Sequence, residues 1–237
     1  VDDYKALVGQ MFDGTVTVLD FVFANFCLTE KEYLVHLLKL EMLNEKEMIR
    51  QIILKSQSKG LKVEDVQILA PMYKGENGID NLNVLLQELF NPRSKEKKEL
   101  KYFDVIYREK DKVLQLVNNP DCNVYNGDIG YITSIIEEEL PYKHFEIVID
   151  FDGNQVVYNK EDLQSIKHAY AMTIHKSQGS EFPHVILPVT KNYYKMLYNK
   201  LIYTGVSRAK KSLVIIGEKE AFMMGVYNDY ATNRKTG

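Results

Sequence analysis

TIHKSQGSEF, residues 173–182, places hydroxyl, imidazole, ammonium, amide and carboxylate groups within ten positions. Apolar runs flank this stretch at residues 169–172 and 185–189. A polar run between strand-like segments predicts a loop held at the edge of a sheet, where α/β proteins bind their ligands. A second dense cluster, YTGVSRAKK at residues 203–211, follows shortly after. The two clusters together form the candidate site.

The composition is that of an ordinary globular protein with a core: 237 residues, of which 45% are hydrophobic and 27% charged. Neither an apolar run of membrane-spanning length nor a basic-then-apolar leader is visible, so we expect no membrane partner. Cys27 and Cys122 are the only cysteines, which predicts a reducing, cytoplasmic location without a disulfide framework or a zinc site. Scattered histidines likewise predict no metal site.

Charge is unevenly distributed along the chain. The net charge of −3 argues against a protein that coats nucleic acid indiscriminately. Residues 182–217, however, contain six basic and no acidic side chains. Such asymmetry allows a neutral-looking protein to hold an anion, although a solvated basic face is an equally simple interpretation.

Residues 1–101 show an α/β pattern. β-Branched and aromatic residues at 15–23 predict a buried strand, and Thr29 begins a helical pattern that continues or restarts at 45–58. A short buried strand at 66–70 and a helix at 79–90 follow. The loop between them, PMYKGENG, precedes a helix N-terminus that could present N–H groups to a phosphate, or it is an ordinary βα connection.

The middle of the chain changes to short strands after a charged connector at residues 93–101. We predict strands near 102–107, 112–116, 129–136, 145–151 and 155–158, with Asp152-Gly153 as a tight hairpin turn. Five short strands in about sixty residues predict a small β-barrel. The α/β pattern returns with a strand at 185–188, a helix at 193–206, a strand at 212–217 and a helix at 219–227.

This order predicts an α/β domain, residues 1–101 and 169–237, with a β-barrel inserted at residues 102–168. The chain contains no G-x-x-x-x-G-K-[ST] sequence, so it cannot cradle and hydrolyse a nucleoside triphosphate alone by the usual route.

Four motifs in order resemble the superfamily 1 DNA helicases, in the form of the RecD-like branch (the exodeoxyribonuclease V alpha subunit and its relatives). Residues 173–182 resemble the late motif T-x-H-K-x-Q-G-x-E-F, and residues 203–211 are similar to the last motif, Y-T-x-[VL]-[ST]-R-A. Residues 70–78 resemble the middle motif. Asp111-Lys112-Val113 together with residues 126–130 resembles the SH3-type barrel of the same branch.

The resemblance implies a RecA-like second motor domain with an SH3-like insert, from an ATP-dependent helicase that moves 5′ to 3′ on single-stranded DNA and unwinds duplex ends in DNA repair and recombination. ATP and Mg²⁺ would be bound mainly by an N-terminal P-loop motor domain of the same polypeptide. The isolated chain is therefore expected to be inactive as an ATPase.

The resemblance also implies roles for single residues. Arg208 would be an arginine finger on the γ-phosphate, and Lys74 would be a second cation near it. Gly179 would allow the backbone to approach the nucleotide closely. Glu181 would accept from a ribose hydroxyl, and Gln178 would link the nucleotide and DNA sites. The residues expected to contact DNA are Thr173 and His175 in the loop and Lys112, Asn118, Asn119 and Tyr125 in the barrel.

Simpler interpretations stand beside these roles. Arg208 could be a surface cation, His175 a core histidine, and about half of the barrel set turn-forming residues. Two other functions also remain open. One is a fragment of a relaxase-type or Pif-type helicase, and the other is a non-catalytic single-strand-binding module derived from a helicase.

Overall fold

The computed structural model describes residues 45–72, 78–138, 144–190, 193, 196–217 and 219–228. The predicted strand at 15–23, the helix start at Thr29 and the candidate residue Lys74 lie outside this range. The chain divides into two compact units, one formed by Val1–Asn81 with Met172–Gly237 and the other by Leu82–Ala171.

The described helices and strands follow one another in the predicted order. The helices are α1 (Glu45–Ser58), α2 (Ile79–Phe90), α3 (Asn199–Val206) and α4 (Lys219–Tyr227). The strands are β1 (Val66–Ala70), β2 (Glu99–Tyr102), β3 (Val105–Arg108), β4 (Lys112–Gln115), β5 (Ile129–Glu138), β6 (His144–Phe151), β7 (Asn154–Asn159), β8 (Ile166–His168), β9 (Ala171–Thr173), β10 (Phe182–Val189) and β11 (Ala209–Gly217). No described helix has the length and apolar character needed to cross a bilayer.

The first unit is built on a four-stranded sheet with the order β11-β10-β1-β9. β10 runs parallel to both neighbours, with Val66 opposite His184 and Leu213 opposite Val185. β1 is buried along its whole length, and β10 is buried from Val185 onward. Continuous apolar strands of this kind are typical of parallel sheets that are covered on both faces. The predicted α/β class with a parallel sheet is confirmed.

The second unit contains an antiparallel five-stranded sheet with the order β7-β6-β5-β4-β8. Its apolar side chains, among them Val113, Ile132, Ile147 and Ile149, form one buried cluster. The predicted turn at Asp152-Gly153 is confirmed: both residues have positive φ angles, 53° and 90°, as a tight hairpin between β6 and β7 requires.

Several predicted boundaries were wrong. The single strand predicted at 102–107 is a hairpin of β2 and β3, because the chain reverses at residues 103–104. The helix predicted from residue 193 begins only at Asn199, after the extended residue Tyr198. Strand β8 was not predicted, since three residues carry too little periodicity to be recognised. Strand β9 overlaps the strand-like run predicted at residues 169–172.

The units divide between residues 81 and 82 and between 171 and 172, whereas the predicted divisions lay at 101/102 and 168/169. The difference arises from α2, whose polar side chains form hydrogen bonds within the second unit. Asn83 accepts a hydrogen bond from the backbone N–H of Ala171 (2.8 Å) and donates to its carbonyl oxygen (3.0 Å). Most of α2 therefore belongs structurally to the second unit, which contains the antiparallel sheet.

Candidate functional site

The TIHKSQGSEF stretch begins with a turn built by Thr173. Its hydroxyl accepts a hydrogen bond from the backbone N–H of Lys176 (3.2 Å) and caps a 3-10 turn over residues 174–177. Thr173 is only 6% exposed. Its hydroxyl, predicted to contact DNA, thus holds the shape of the loop in this structure.

His175 projects from this turn to the surface, where its Nε2 atom lies 3.1 Å from the hydroxyl of Tyr198. Its exposure does not fit a core histidine. A solvent-facing imidazole that bonds a phenol can also bond a phosphate oxygen, because either ring nitrogen can donate.

Gly179 has a φ of +89°, a conformation that L side chains rarely adopt. No atom lies within 4 Å of the position that a Cβ would occupy there. Gln178 and Gly179 are exposed. The backbone at this point is therefore open to close approach by another molecule, which is what a nucleotide-binding loop requires.

Arg208 joins the two sequence clusters. Its guanidinium donates to the carbonyl oxygens of Thr204 (3.1 Å) and Ser180 (3.0 Å) and to the hydroxyl of Ser207 (3.0 Å). Its own carbonyl accepts from the backbone N–H of Phe182 (2.8 Å). The end of α3 and the end of the TIHKSQGSEF loop are thereby held against each other.

Glu181 forms an ion pair with Lys210, with 3.0 Å between Oε2 and Nζ. Both side chains are more than half exposed, at 54% and 58%, so water screens this pair strongly. The carboxylate of Glu181 remains accessible to a hydroxyl donor beside the open backbone of Gly179.

The parallel register separates this site from the point where the chain leaves β1, at Ala70. Arg208 and residues 173–181 lie where β10 and β11 begin, with Phe182 opposite Ala209. Ala70 lies two residues beyond the pair Ile68 and Ile186. At about 3.3 Å per residue, the two places lie roughly 20 Å apart along the sheet.

The barrel residues predicted to contact DNA divide into two groups. Lys112 is buried, with 2% exposure, which is at odds with a contact to the DNA backbone. Asn118 accepts from the N–H of Asn126 (2.9 Å), and Asn119 accepts from the N–H of Cys122 (3.4 Å), so both amides shape turns. Tyr125 is exposed (47%) and remains available to a ligand.

Sequence reasoning missed a buried polar cluster around Asp111, which is fully buried. Its carboxylate accepts from the side chains of Gln87 (2.6 Å), Asn91 (2.7 Å) and Tyr170 (2.8 Å), from the N–H of Arg108 (2.7 Å), and lies 3.0 Å from Nε2 of His168. Burial, together with this carboxylate, raises the pKa of the Tyr170 hydroxyl. The amides at positions 83, 87 and 91, one on each helical turn, were the available signal.

Two family models match the chain. The SH3 domain of the ATP-dependent RecD-like DNA helicases matches residues 82–151, and the UvrD-like helicase C-terminal domain matches residues 168–216. The ATP-dependent RecD2 DNA helicase of Deinococcus radiodurans is 32% identical over 67% of this chain. The chain belongs to the RecD-like helicases. The resemblance seen in the motifs is confirmed.

The RecD-like chain spans only part of the relatives that it matches. It covers 21% of the Deinococcus RecD2 sequence. The RecBCD enzyme subunit RecD of Buchnera aphidicola (strain from Acyrthosiphon pisum) is 27% identical over 94% of this chain, which covers 36% of that subunit. Among solved structures, the Pif1 helicase of Candida albicans gives a TM-score of 0.48 at 14% identity, over 91% of this chain and 53% of that one.

The matched ranges of this RecD-like chain coincide with the structural features described above. The SH3 match, residues 82–151, lies wholly within the second unit and includes Asp111. The UvrD-like match contains both the TIHKSQGSEF loop and Arg208.

Proposed function

We propose that this chain forms the second motor domain and barrel of an ATP-dependent DNA helicase, which moves 5′ to 3′ on single-stranded DNA and unwinds duplex ends in DNA repair and recombination in the cytoplasm. The supporting observation is the contact between Arg208 and Ser180, because it joins the two helicase motifs into one site. The polarity and the repair role rest on the RecD family. An N-terminal P-loop motor domain of the same polypeptide is the proposed partner.

The site has a chemistry that fits the edge of a bound nucleotide. Gly179 leaves open space beside its backbone, Glu181 offers an exposed carboxylate, and Arg208 supplies a planar cation. Among the described residues, no group of three His, Cys, Asp or Glu side chains could hold a metal ion. The RecD-like family implies that Mg²⁺ would be held by the P-loop domain.

ATP, when bound with Mg²⁺, supplies the phosphoryl group whose transfer to water drives translocation. Arg208 would stabilise the charge that develops on the transferred group, an effect worth on the order of 10³ to 10⁵ in rate. In this proposal the guanidinium would exchange the carbonyl oxygen of Ser180 for a phosphate oxygen. Because Ser180 belongs to the loop, the exchange would alter the loop.

The same loop carries the proposed DNA contact. His175 lies at the surface beside Tyr198 and would bond the DNA backbone without reading sequence, as a translocating motor requires. Thr173 would act by fixing the turn that presents His175. Gln178 lies between His175 and Ser180, so a change in the contact of Arg208 with Ser180 would reach His175 through four or five residues.

Tailed duplexes test this proposal. A polypeptide that contains the P-loop domain and residues 1–237 should unwind a 5′-tailed duplex, but not a 3′-tailed one, in the presence of ATP. Purified residues 1–237 should show no appreciable ATPase. ATP hydrolysis by the isolated chain at helicase-like rates, unchanged by Arg208→Ala, would contradict the assignment. Salt-sensitive DNA binding without unwinding by the two-domain protein would favour the binding-module alternative.

A further inference from the structure

The outer face of the hairpin formed by β2 and β3, with the connector before it, has the chemistry of a nucleic-acid-binding surface. We infer that this surface, defined here as Lys95, Lys98, Lys101, Phe103 and Ile106 and named the hairpin surface, binds single-stranded DNA. The inference rests on the proposed helicase function. It assigns DNA binding in the barrel unit to residues other than Lys112 and the turn-forming amides.

Charge is the first support. Residues 93–106 carry five basic side chains and three acids, Glu96, Glu99 and Asp104, in a chain whose net charge is −3. A local excess of cations in an otherwise acidic protein concentrates a polyanion at that place.

The connector is held in place by bonds that also neutralise one of its acids. Glu99 accepts from Nε of Arg108 (2.7 Å) and lies 3.3 Å from Nε of Arg93. The ammonium of Lys97 donates to Oδ1 of Asn91 (2.6 Å) and to the carbonyl of Pro92 (3.1 Å). The surface is thus built on a fixed backbone rather than on a trailing segment.

The remaining lysines point to solvent. Lys95, Lys98 and Lys101 are exposed, and within the part of the chain that the structure describes none has a carboxylate partner within 4 Å. Lys95 also lines an open pocket of about 510 Å³ together with Arg93, Ser94, Lys97 and Glu99. Exposed ammonium groups suit phosphate oxygens, because each can bond one without fixed geometry.

The tip of the hairpin presents an aromatic ring. Phe103 is 79% exposed and has a φ of +52°, a conformation that is unfavourable for a bulky side chain and is often retained for function. Its ring meets that of Tyr102 edge to face, with 4.7 Å between centroids. Tyr102 packs on the barrel core, so one ring anchors the other.

Lys101 and Ile106 are paired across the hairpin and are both exposed, while Leu100 and Tyr107 beside them face the core. A cation and an apolar side chain therefore share the outer face, and an aromatic ring lies at the tip of the same hairpin. Proteins that bind single strands without sequence preference combine a cationic track with rings on which bases stack.

Phe103→Gly separates a stacking role from a structural one. Glycine relieves the unfavourable φ, so the melting temperature of residues 1–237 should stay unchanged or rise. Affinity for a fluorescein-labelled oligothymidylate, measured by anisotropy, should fall about tenfold, and Phe103→Trp should preserve it. With an abasic oligonucleotide of equal length, wild type and Phe103→Gly should bind equally.

The lysines have a matched control. Lys95→Gln/Lys98→Gln/Lys101→Gln should weaken binding and reduce the slope of log affinity against log salt by roughly 0.7 for each phosphate that the protein no longer neutralises. Lys110→Gln/Lys160→Gln/Lys167→Gln, which changes three exposed lysines elsewhere in the same unit, should leave both unchanged.

Equal affinity of wild type and both hairpin-surface variants would overturn the inference, as would unfolding of Phe103→Gly or a wild-type chain that binds no single strand at low salt. None of these results decides the helicase proposal, which depends on unwinding by the two-domain protein.

Discussion

The Nη1 atom of Arg208 lies 3.0 Å from the carbonyl oxygen of Ser180. These residues belong to two sequence motifs and are 28 positions apart, and their contact closes the site. The guanidinium has five N–H donors and uses three of its nitrogen atoms on neighbouring oxygens. We propose that a phosphate bound by Arg208 would weaken this contact and so couple nucleotide state to the conformation of the loop.

Replacement of Arg208 tests its proposed role as an arginine finger. In a protein with both motor domains, Arg208→Ala should lower the ATPase kcat by on the order of 10³ to 10⁵. Arg208→Lys should recover little of it, because an ammonium cannot reproduce the planar fork. Steady-state phosphate release measures the effect, and urea unfolding of residues 1–237 should show a loss of only about 1–2 kcal/mol. A variant with wild-type kcat would rule out the finger role.

Gly179 and Gly60 provide a matched pair. Both have positive φ angles, 89° and 83°, and both have open space where a Cβ would lie. Alanine at either position should cost a similar amount of stability, about 1 kcal/mol, because only the backbone is strained. Only Gly179→Ala should raise the KM for ATP of the two-domain protein. Equal KM values in the two variants would remove Gly179 from the nucleotide site.

Asp111 should be a main determinant of barrel stability. Asp111→Ala leaves buried donors from Gln87, Asn91 and Tyr170 without their acceptor, and we expect a loss of about 3–5 kcal/mol. Asp121→Ala, at an exposed position, is the control and should change stability by less than about 0.5 kcal/mol. Urea unfolding followed by circular dichroism compares them. Similar midpoints would show that the cluster contributes little.

His184 should make stability depend on pH. Burial lowers its pKa below the usual 6.5, with Asp65 opposing and Lys211 assisting, and its Nδ1 lies 2.7 Å from the hydroxyl of Ser212. Below about pH 6.5, His184 is protonated in the unfolded chain but is still neutral in the native state. The native state therefore loses stability as pH falls. Melting temperatures at pH 8, 6.5 and 5 should decline less steeply in His184→Gln. Equal declines in the melting temperatures of wild type and His184→Gln would contradict this prediction.

Local patterns predicted much of the fold. β1, α2 and the Asp152-Gly153 turn lie where apolar periodicity and turn chemistry indicated, because both signals arise from neighbouring residues. The turn at residues 103–104 was missed, since Phe103 is not a residue that favours a positive φ. Hydrogen bonds between residues far apart in the chain could not be predicted from local sequence patterns either. Asp111 meets Tyr170 across 59 positions, and no local pattern records that pairing.

The sequence by itself determined the α/β class, the inserted barrel and the motifs that identify a RecD-like helicase, because these depend on residue types in fixed short spacings. Only the tertiary structure decided what each side chain does. It buried Lys112, used the Thr173 hydroxyl as a cap and placed Arg208 against Ser180. The physical reason is that burial and hydrogen-bond partners are set by the register of strands far apart in the chain, which no single stretch of sequence specifies.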